Sequence, residues 1–380
     1  MRADARGVAA AVALTVTLAS TAYTALAISR LRAFSRRPRS RSVLRPPITI
    51  LKPVRGVEPR LAENLRSFCT QDYPDFEVVF GVLDPDDAAL PIIRSVAAEH
   101  PSRTTVAVGN GVAEHRNPKI ATLGPMLPHA NHALLAISDS DMRVGPDYLE
   151  AVASAFDDQR VGAATCVYRG EAADDGLASQ LGAMLIVEQF TPSALAAMSL
   201  EPLTYCFGAT MAVRRDALDA VGGLRAIGAQ LADDFALGFL VSEHGLRVAF
   251  APYAVTNTVS EPGLRALFLH ELRWARTIRA VRPKSYAGII LTYPLPLALL
   301  YAAVNRSRGW SLTVVALAAL TRLTLHGAAQ RALGSGRRPP VSFIPLRDAL
   351  GVTVWALGFF GRSVRWRDAA LHVTPSGEIR

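Results

Sequence analysis

The chain has 380 residues, enough for one large domain or two ordinary ones, and half of them are hydrophobic, with a mean hydropathy of +0.23. That balance is high for a purely water-soluble protein and points to membrane segments. The formal net charge is +9, but seven of those charges, Arg30, Arg32, Arg36, Arg37, Arg39, Arg41 and Arg45, form one block with no acid among them. The basicity is therefore local, and the chain does not read as a nucleic-acid binder.

Gly7 to Ser29 carries no charged residue and is long enough to cross a bilayer as a helix. Ala25-Leu26-Ala27 resembles a signal-peptide cleavage site. The arginine block behind it outweighs the weak charge ahead of it (Arg2, Asp4, Arg6), and basic residues beside a span stay cytoplasmic. The expectation is an uncleaved anchor with its N-terminus outside, a basic linker to residue 45, and everything that follows cytoplasmic.

From Pro46 to about residue 262 strands and helices alternate. Ile48–Val54 reads as a strand, Leu61–Cys69 as a helix, Phe76–Leu83 as a strand and Pro91–His100 as a helix. Thr105–Val108 is a short strand, and His132–Asp141 is an apolar strand ending in Asp139-Ser140-Asp141. A helix follows from Pro146 to Phe156. The alternation predicts an α/β domain with a mainly parallel sheet between helices. No GxGxxG or GxxxxGK[ST] is present, so neither a Rossmann dinucleotide site nor a P-loop is supported. Cys69, Cys166 and Cys206 fall in no metal spacing and read as reduced core residues.

Acid clusters carry the chemistry. If the chain is still extended at its end, Asp139 and Asp141 share a face and suit a hard cation such as Mg²⁺ or Mn²⁺ on a diphosphate; a lone DxD is a weak signal, and a polar turn after a strand is the plainer reading. Asp84, Asp86 and Asp87 close the second strand and could accept from a uracil N–H or ribose hydroxyls, or form a plain turn around Pro85. Lys119, after Asn117-Pro118, could lie along a diphosphate or be a solvated loop lysine. Asp233 and Asp234 open the helix Phe235–His244. Asp233 fits a cap or dipole partner, and Asp234 fits a general base held rigidly at a helix N-terminus. Small residues at Phe207-Gly208-Ala209-Thr210 and Val221-Gly222-Gly223-Leu224 would let backbone approach a ligand, or are turn glycines.

His270-Glu271-Leu272-Arg273-Trp274 lies on an amphipathic helix, Gly263–Val281, that places His270, Arg273 and Trp274 on one face. Beyond it, Ala287–Val304 reads as a span kinked at Pro294 and Pro296, and Gly309–Ala329 as a second in which Arg322 and His326 snorkel. Val341–Gly361, interrupted by Pro345, Arg347 and Asp348, is either a third span or a re-entrant or interfacial segment. The basic tail Arg362, Arg365 and Arg367 argues against the third span.

Asp87 in LDPDDAA, Asp139 in SDSD, Asp234 in ADDFALG and Arg273-Trp274 in HELRW resemble, in order, the three spaced aspartates and (Q/R)xxRW of the membrane-bound GT-A glycosyltransferases of the ceramide glucosyltransferase type. KPVRGVEPRL, NPKI and AVRRDALDAVGGL resemble them too, so the likeness runs from about residue 48 to 296. His270 departs from the family's Gln or Arg, and HELRWARTIRA resembles the bacterial branch associated with hopanoid biosynthesis.

The resemblance implies a GT-A-type mixed, mainly parallel sheet with transmembrane helices at both ends. It implies an inverting, metal-dependent transfer of N-acetylglucosamine from a UDP-sugar to the hydroxyl of a membrane lipid, a hopanoid such as bacteriohopanetetrol; ceramide glucosylation from UDP-glucose is the alternative. Asp84 and Asp87 would hold uridine, and Asp139 and Asp141 would hold Mg²⁺ or Mn²⁺. Asp234 would be the base, and Lys119 and Arg273 would face the diphosphate. Trp274, His270 and Asp233 would border the acceptor or diphosphate. The expected organisation is an anchor and linker (1–45), a cytoplasmic catalytic domain (46–262), an interfacial helix (263–282) and a membrane region (283–380), multi-pass in a bacterial inner membrane.

Overall fold

A computed structural model describes residues 5–38, 41–334, 336, 338–361, 363–366, 369–372, 374 and 377–379. Arg2, Asp4, Arg39, Arg362 and Arg367, read above for their charge, lie outside the described residues, as does the Arg365 side chain. The chain divides into two compact units. One comprises Met1–Arg37, Asp174–Glu201 and Glu261–Ala370; the other comprises Pro38–Ala173, Pro202–Ser260 and Leu371–Arg380.

The second unit is built on eight strands: β1 (Ile48–Pro53), β2 (Phe76–Val82), β3 (Thr104–Val108), β4 (Leu134–Ile137), β5 (Met142–Arg143), β6 (Val161–Ala172), β7 (Met211–Arg214) and β8 (Arg247–Val259). They form one sheet in the order β3-β2-β1-β4-β7-β6-β8-β5. Neighbours run parallel from β3 through β4. β7 is antiparallel to both β4 and β6, β8 is parallel to β6, and β5 is antiparallel to β8.

Successive side chains of a strand point to opposite faces, and the two core layers follow that rule. Ile48 and Ile50 of β1, with Val78 and Phe80 of β2, pack with Leu65 and Phe68 of the helix Leu61–Cys69 and Ile93 and Val96 of the helix Leu90–Glu99. Leu51, Val79, Leu135 and Ile137 pack on the other side with Ile120 and Leu123 of the helix Pro118–Met126 and Leu237 and Val241 of the helix Asp233–Glu243. A Cβ on Gly81 would lie 2.3 Å from Met126, so the bare backbone of β2 lets the helix Pro118–Met126 sit close to the sheet. The strand order turns at β1, between β2 and β4, and ligands of open α/β sheets bind at the carboxyl ends of strands beside such a turn.

The other unit holds three helices long and apolar enough to cross a membrane, Ala5–Ser35, Arg308–Ala332 and Val341–Gly358, among the described residues. A fourth candidate is the pair Pro283–Thr292 and Pro294–Val304, bent by 75°. The kinked single span expected over Ala287–Val304 is thus a broken pair, because Pro294 opens the second helix and offers no N–H to continue the first. The segment Asp174–Glu201, which the alternation left inside the catalytic run, groups with these helices.

Arg322 and His326 do not snorkel. Arg322 is 1% exposed; its Nε donates to Asp348 Oδ1 at 3.0 Å and its Nη1 to Glu188 Oε2 at 2.8 Å. His326 Nδ1 lies 2.8 Å from Glu188 Oε1, and Gln330 Nε2 donates to the same oxygen at 3.0 Å. Glu188 stands on a π-helical turn, Ile186–Phe190. Arg347 makes a two-pronged pair with Glu271, with Nη2 to Oε2 at 2.6 Å. Every charge that interrupted the apolar runs is paired inside the unit, which is how a low-dielectric environment tolerates it.

Removing one partner of a buried ion pair strands the other. Arg322→Leu is expected to destabilise this unit by about 3–5 kcal/mol, seen as a lowered melting temperature in detergent. An unchanged melting point would mean that the pairing contributes nothing.

Candidate active site

β4 stops at Ile137, and the next residues leave the strand for a turn in which the Met142 N–H donates to the Asp139 carbonyl at 3.3 Å. The extended geometry expected through Asp141 is therefore corrected: Asp139 and Asp141 sit on a turn. Several elements fix that turn. Asn257 Nδ2 donates to Asp141 Oδ2 at 2.7 Å, the Thr258 N–H donates to the Asp141 carbonyl at 2.9 Å, and Ser140 Oγ donates to Glu58 Oε2 at 2.6 Å.

Beneath it lies Lys52 of β1, 0% exposed, which donates to the Asp139 carbonyl and sits 3.8 Å above the Phe68 ring. Burial lowers the Lys52 ammonium to about 7, although Asp141, Asp139 and Glu58 pull the other way. Burial, with Glu58 and Asp139 nearby, raises Asp141 to about 7. Asp141 Oδ1 is buried and accepts no hydrogen bond.

The second part of the site comes from two helix starts. Asn117 caps the helix Pro118–Met126, its side chain accepting from the N–H groups of Lys119 and Ile120, with Pro118 in the first turn. That cap aims Lys119 at the acids: Nζ lies 2.8 Å from Asp139 Oδ1 and 3.3 Å from Asp233 Oδ2. Burial works against the charge on Lys119, but Asp139, Asp233 and Asp234 outweigh it and hold the ammonium well above the ordinary lysine range. Asn117 Nδ2 donates to Asp233 Oδ1 at 3.2 Å.

Asp233 and Asp234 open the helix Asp233–Glu243. Helix and loop meet closely because Gly238 has no side chain; a Cβ there would lie 2.5 Å from the Tyr205 backbone. Burial and the neighbouring Asp233 raise Asp234 to about 7, while Lys119 opposes the rise. The decisive geometry is at Gly208, where an added Cβ would lie 3.4 Å from both Asp139 Oδ2 and Asp234 Oδ2. The two carboxylates converge over bare backbone. Lys119, Asp139, Asp141, Asp233 and Asp234 therefore share one locality. Tyr168 of β6 joins them, its hydroxyl pushed well up by burial and by Asp234, Asp139 and Asp141.

Asp84 and Asp87 stand at the end of β2. Asp84 Oδ1 accepts from the Asp86 N–H at 2.9 Å. Asp87 accepts from the Gly56 N–H at 2.9 Å and the Ala89 N–H at 2.8 Å, tying the loop after β1 to the turn after β2. Of the two glycine stretches, only Gly208 meets the acids; Gly222 and Gly223 have φ of 96° and 65° and open the short helix Gly223–Ile227, Gly222 standing just before it.

His270, Arg273 and Trp274 belong to the other unit, on the helix Leu264–Val281. The His270 and Trp274 rings meet edge to face at 4.6 Å, and His270 Nδ1 lies 2.6 Å from Glu261 Oε1. Sequence reading passed over Lys52, Glu58, Asn257 and Tyr168. A lysine in the apolar strand ITILKPV was the available signal, since a buried ammonium requires acids close by.

Among the described residues no group of three or more His, Cys, Asp or Glu side chains is arranged to hold a metal ion. Asp139 and Asp141 nevertheless fit a cation that completes its shell from elsewhere: Asp141 Oδ1 is an orphaned carboxylate oxygen, and Mg²⁺ typically takes one or two carboxylates plus phosphates and waters.

A family model, "Glycosyl transferase family 21", matches residues 12–379. Ceramide glucosyltransferase 3 of Caenorhabditis elegans is 22% identical over 352 residues, covering 88% of this chain and 74% of the relative. Ceramide glucosyltransferase 1 of the same organism is 24% identical over 244 residues, 63% of this chain and 51% of the relative. Among solved structures, a mannosyltransferase from Pyrobaculum calidifontis in complex with GDP-Man and Mn²⁺ superposes with a TM-score of 0.54 at 21% identity, over 93% of this chain and 99% of its own. That likeness bears on the fold.

The Asp87 carboxylate serves two backbone donors, so Asp87→Ala is expected to cost about 1–3 kcal/mol of stability. Asp84→Ala, at an exposed turn, should cost less than about 1 kcal/mol. Chemical denaturation of the two variants compares them directly; equal losses would remove the structural role assigned to Asp87.

Proposed function

The chain belongs to glycosyl transferase family 21, and from that membership together with the HELRWARTIRA resemblance we propose that it moves N-acetylglucosamine from a UDP-sugar to a hydroxyl of a membrane lipid, a hopanoid such as bacteriohopanetetrol. The observation that supports the reading best is the convergence of Asp139 and Asp234 over Gly208, with Lys119 bridging Asp139 and Asp233. In this proposal the catalytic unit faces the cytoplasm at a bacterial inner membrane, crossed by the apolar helices.

Asp234 is the base. The acceptor oxygen attacks the anomeric carbon, its proton passes to Asp234, and the anomeric carbon–oxygen bond to the diphosphate breaks so that UDP leaves with the electron pair. A carboxylate raised to about 7 by burial and Asp233 is well matched to this task near neutral pH. Lys119 supplies a fixed positive charge where the diphosphate would lie, and Asp84 and Asp87 are assigned to the uridine side. A divalent cation, Mg²⁺ or Mn²⁺, would be held by Asp139 and Asp141 and would contribute Lewis-acid neutralisation of the leaving diphosphate. The roles proposed for Arg273, Trp274 and His270, toward diphosphate and acceptor, rest on the HELRW resemblance.

Transfer of glucose to ceramide is the second reading, favoured by the names of the relatives. Membranes containing the protein, given labelled UDP-GlcNAc with bacteriohopanetetrol or UDP-glucose with ceramide in the presence of Mg²⁺ or Mn²⁺, separate the two. Product from the first pair is expected; product from the second pair alone would replace the acceptor and the sugar, and none from either would remove the proposal. Asp234→Asn is expected to lose about 10²–10⁴-fold in turnover while still binding UDP.

The pH profile carries a sign. A base works deprotonated, so kcat/KM should rise with pH and level off above about 7. Lys119 lowers the Asp234 pKa, so Lys119→Met should move that rise to higher pH. A shift toward acid would contradict the assignment.

A further inference from the structure

Residues 377–379 return to the catalytic unit and fold against the loop that leads into the acid pair. The Leu231 N–H donates to the Gly377 carbonyl at 3.0 Å, and the Ile379 N–H donates to the Ala229 carbonyl at 2.8 Å. Between these bonds Gln230 and Glu378 form an isolated antiparallel bridge. Arg116 Nη1 donates to the Ile379 carbonyl at 3.1 Å, and the Ile379 side chain is 2% exposed. The segment is itself braced: Thr374 Oγ1 accepts from the Glu378 N–H at 3.1 Å, the Thr374 N–H donates to the Glu378 carbonyl at 2.9 Å, and Gly377 takes a φ of 82° that few residues other than glycine adopt.

The clasped loop is the one from which the site hangs. The Gln230 carbonyl accepts from Asn117 Nδ2 at 2.8 Å, and the same amide reaches Asp233 at 3.2 Å. The Asn117 N–H donates to the Gly228 carbonyl at 2.9 Å. A Cβ on Gly228 would lie 2.4 Å from the His115 ring, so the Asn117 loop and the Gly228 loop are in direct contact. Ala232, the residue before Asp233, has no side chain with which to cap the helix. Its entry angle depends on backbone held from outside.

We propose that residues 377–379, braced by Thr374, are a positioning clasp that fixes the loop 228–232 and through it Asp233, Asp234 and the Asn117–Lys119 helix start. The catalytic consequence rests on the glycosyltransferase reading above; the clasp itself does not. The full-length protein in detergent is compared as parent, Ile379→Asp, Gly377→Ala and the conservative Ile379→Leu. Hydrogen exchange of the peptide spanning 229–236 should speed up about tenfold or more in Ile379→Asp and less in Gly377→Ala, while the peptide covering β1 is unchanged and Ile379→Leu behaves as the parent. Transfer assays should show kcat lowered about tenfold or more together with a raised donor KM, since misplacing the base costs rate and loosening the Lys119 helix start weakens the hold on the diphosphate. Unaltered exchange in Ile379→Asp overturns the clasp. Faster exchange with unaltered kcat overturns its positioning role. A parent without transfer activity removes the proposed function and leaves the clasp to stand on exchange.

Discussion

Two buried ammonium groups hold the candidate site together. Lys52 and Lys119 lie among Glu58, Asp139, Asp141, Asp233 and Asp234, carboxylates gathered from loops and helix starts far apart in the chain. Like charges at such separations repel strongly in a low-dielectric setting. The two lysines divide the work. Lys52 sits on the Phe68 ring and supports the turn from below through the Asp139 carbonyl, whereas Lys119 touches carboxylates directly. One therefore braces backbone, and the other ties Asp139 to Asp233.

The sheet explains why these groups can meet. Lys52 leaves β1 and Asp139 follows β4, which are adjacent and parallel, so their carboxyl ends open on the same edge. Asp234 reaches that edge from a helix that packs against the face containing Leu51 and Ile137. Gly238 sets how closely the helix approaches and Gly208 keeps the space between Asp139 and Asp234 free. A side chain at either position would fill space that the acids or their supporting backbone require.

Much of this was legible in the sequence where a local rule and a tertiary demand agree. The apolar runs of β1, β2 and β4 are bounded by turn residues, so both the strands and the acids at their ends could be read from pattern alone. The strands β6 to β8 escaped. VGAATCVYRGEA is rich in small residues, RVAFAPYAVTNTV is interrupted by Pro252, and their pairing carries register irregularities that blur any period of two. Asp139 and Asp141 were found for a reason only partly right: their proximity comes from a turn pinned by Asn257, Thr258 and Glu58, residues that no short motif links to them.

The same distinction runs through the helical unit. Arg322, His326 and Arg347 were visible as charges inside apolar runs, and escape toward water was the expected solution for the first two. They are paired instead, because Glu188, Asp348 and Glu271 come from other segments of the same unit. Glu188 in MLIVEQF was the clue: an isolated acid in an apolar stretch has no way to snorkel with so short a stem, so it calls for a buried cation. Charges in apolar runs are thus best read as pairs before they are read as ends. Applied here, that rule links the π-helical turn to the helices bearing Arg322 and Asp348, and it would have placed Asp174–Glu201 with the long apolar helices rather than with the sheet.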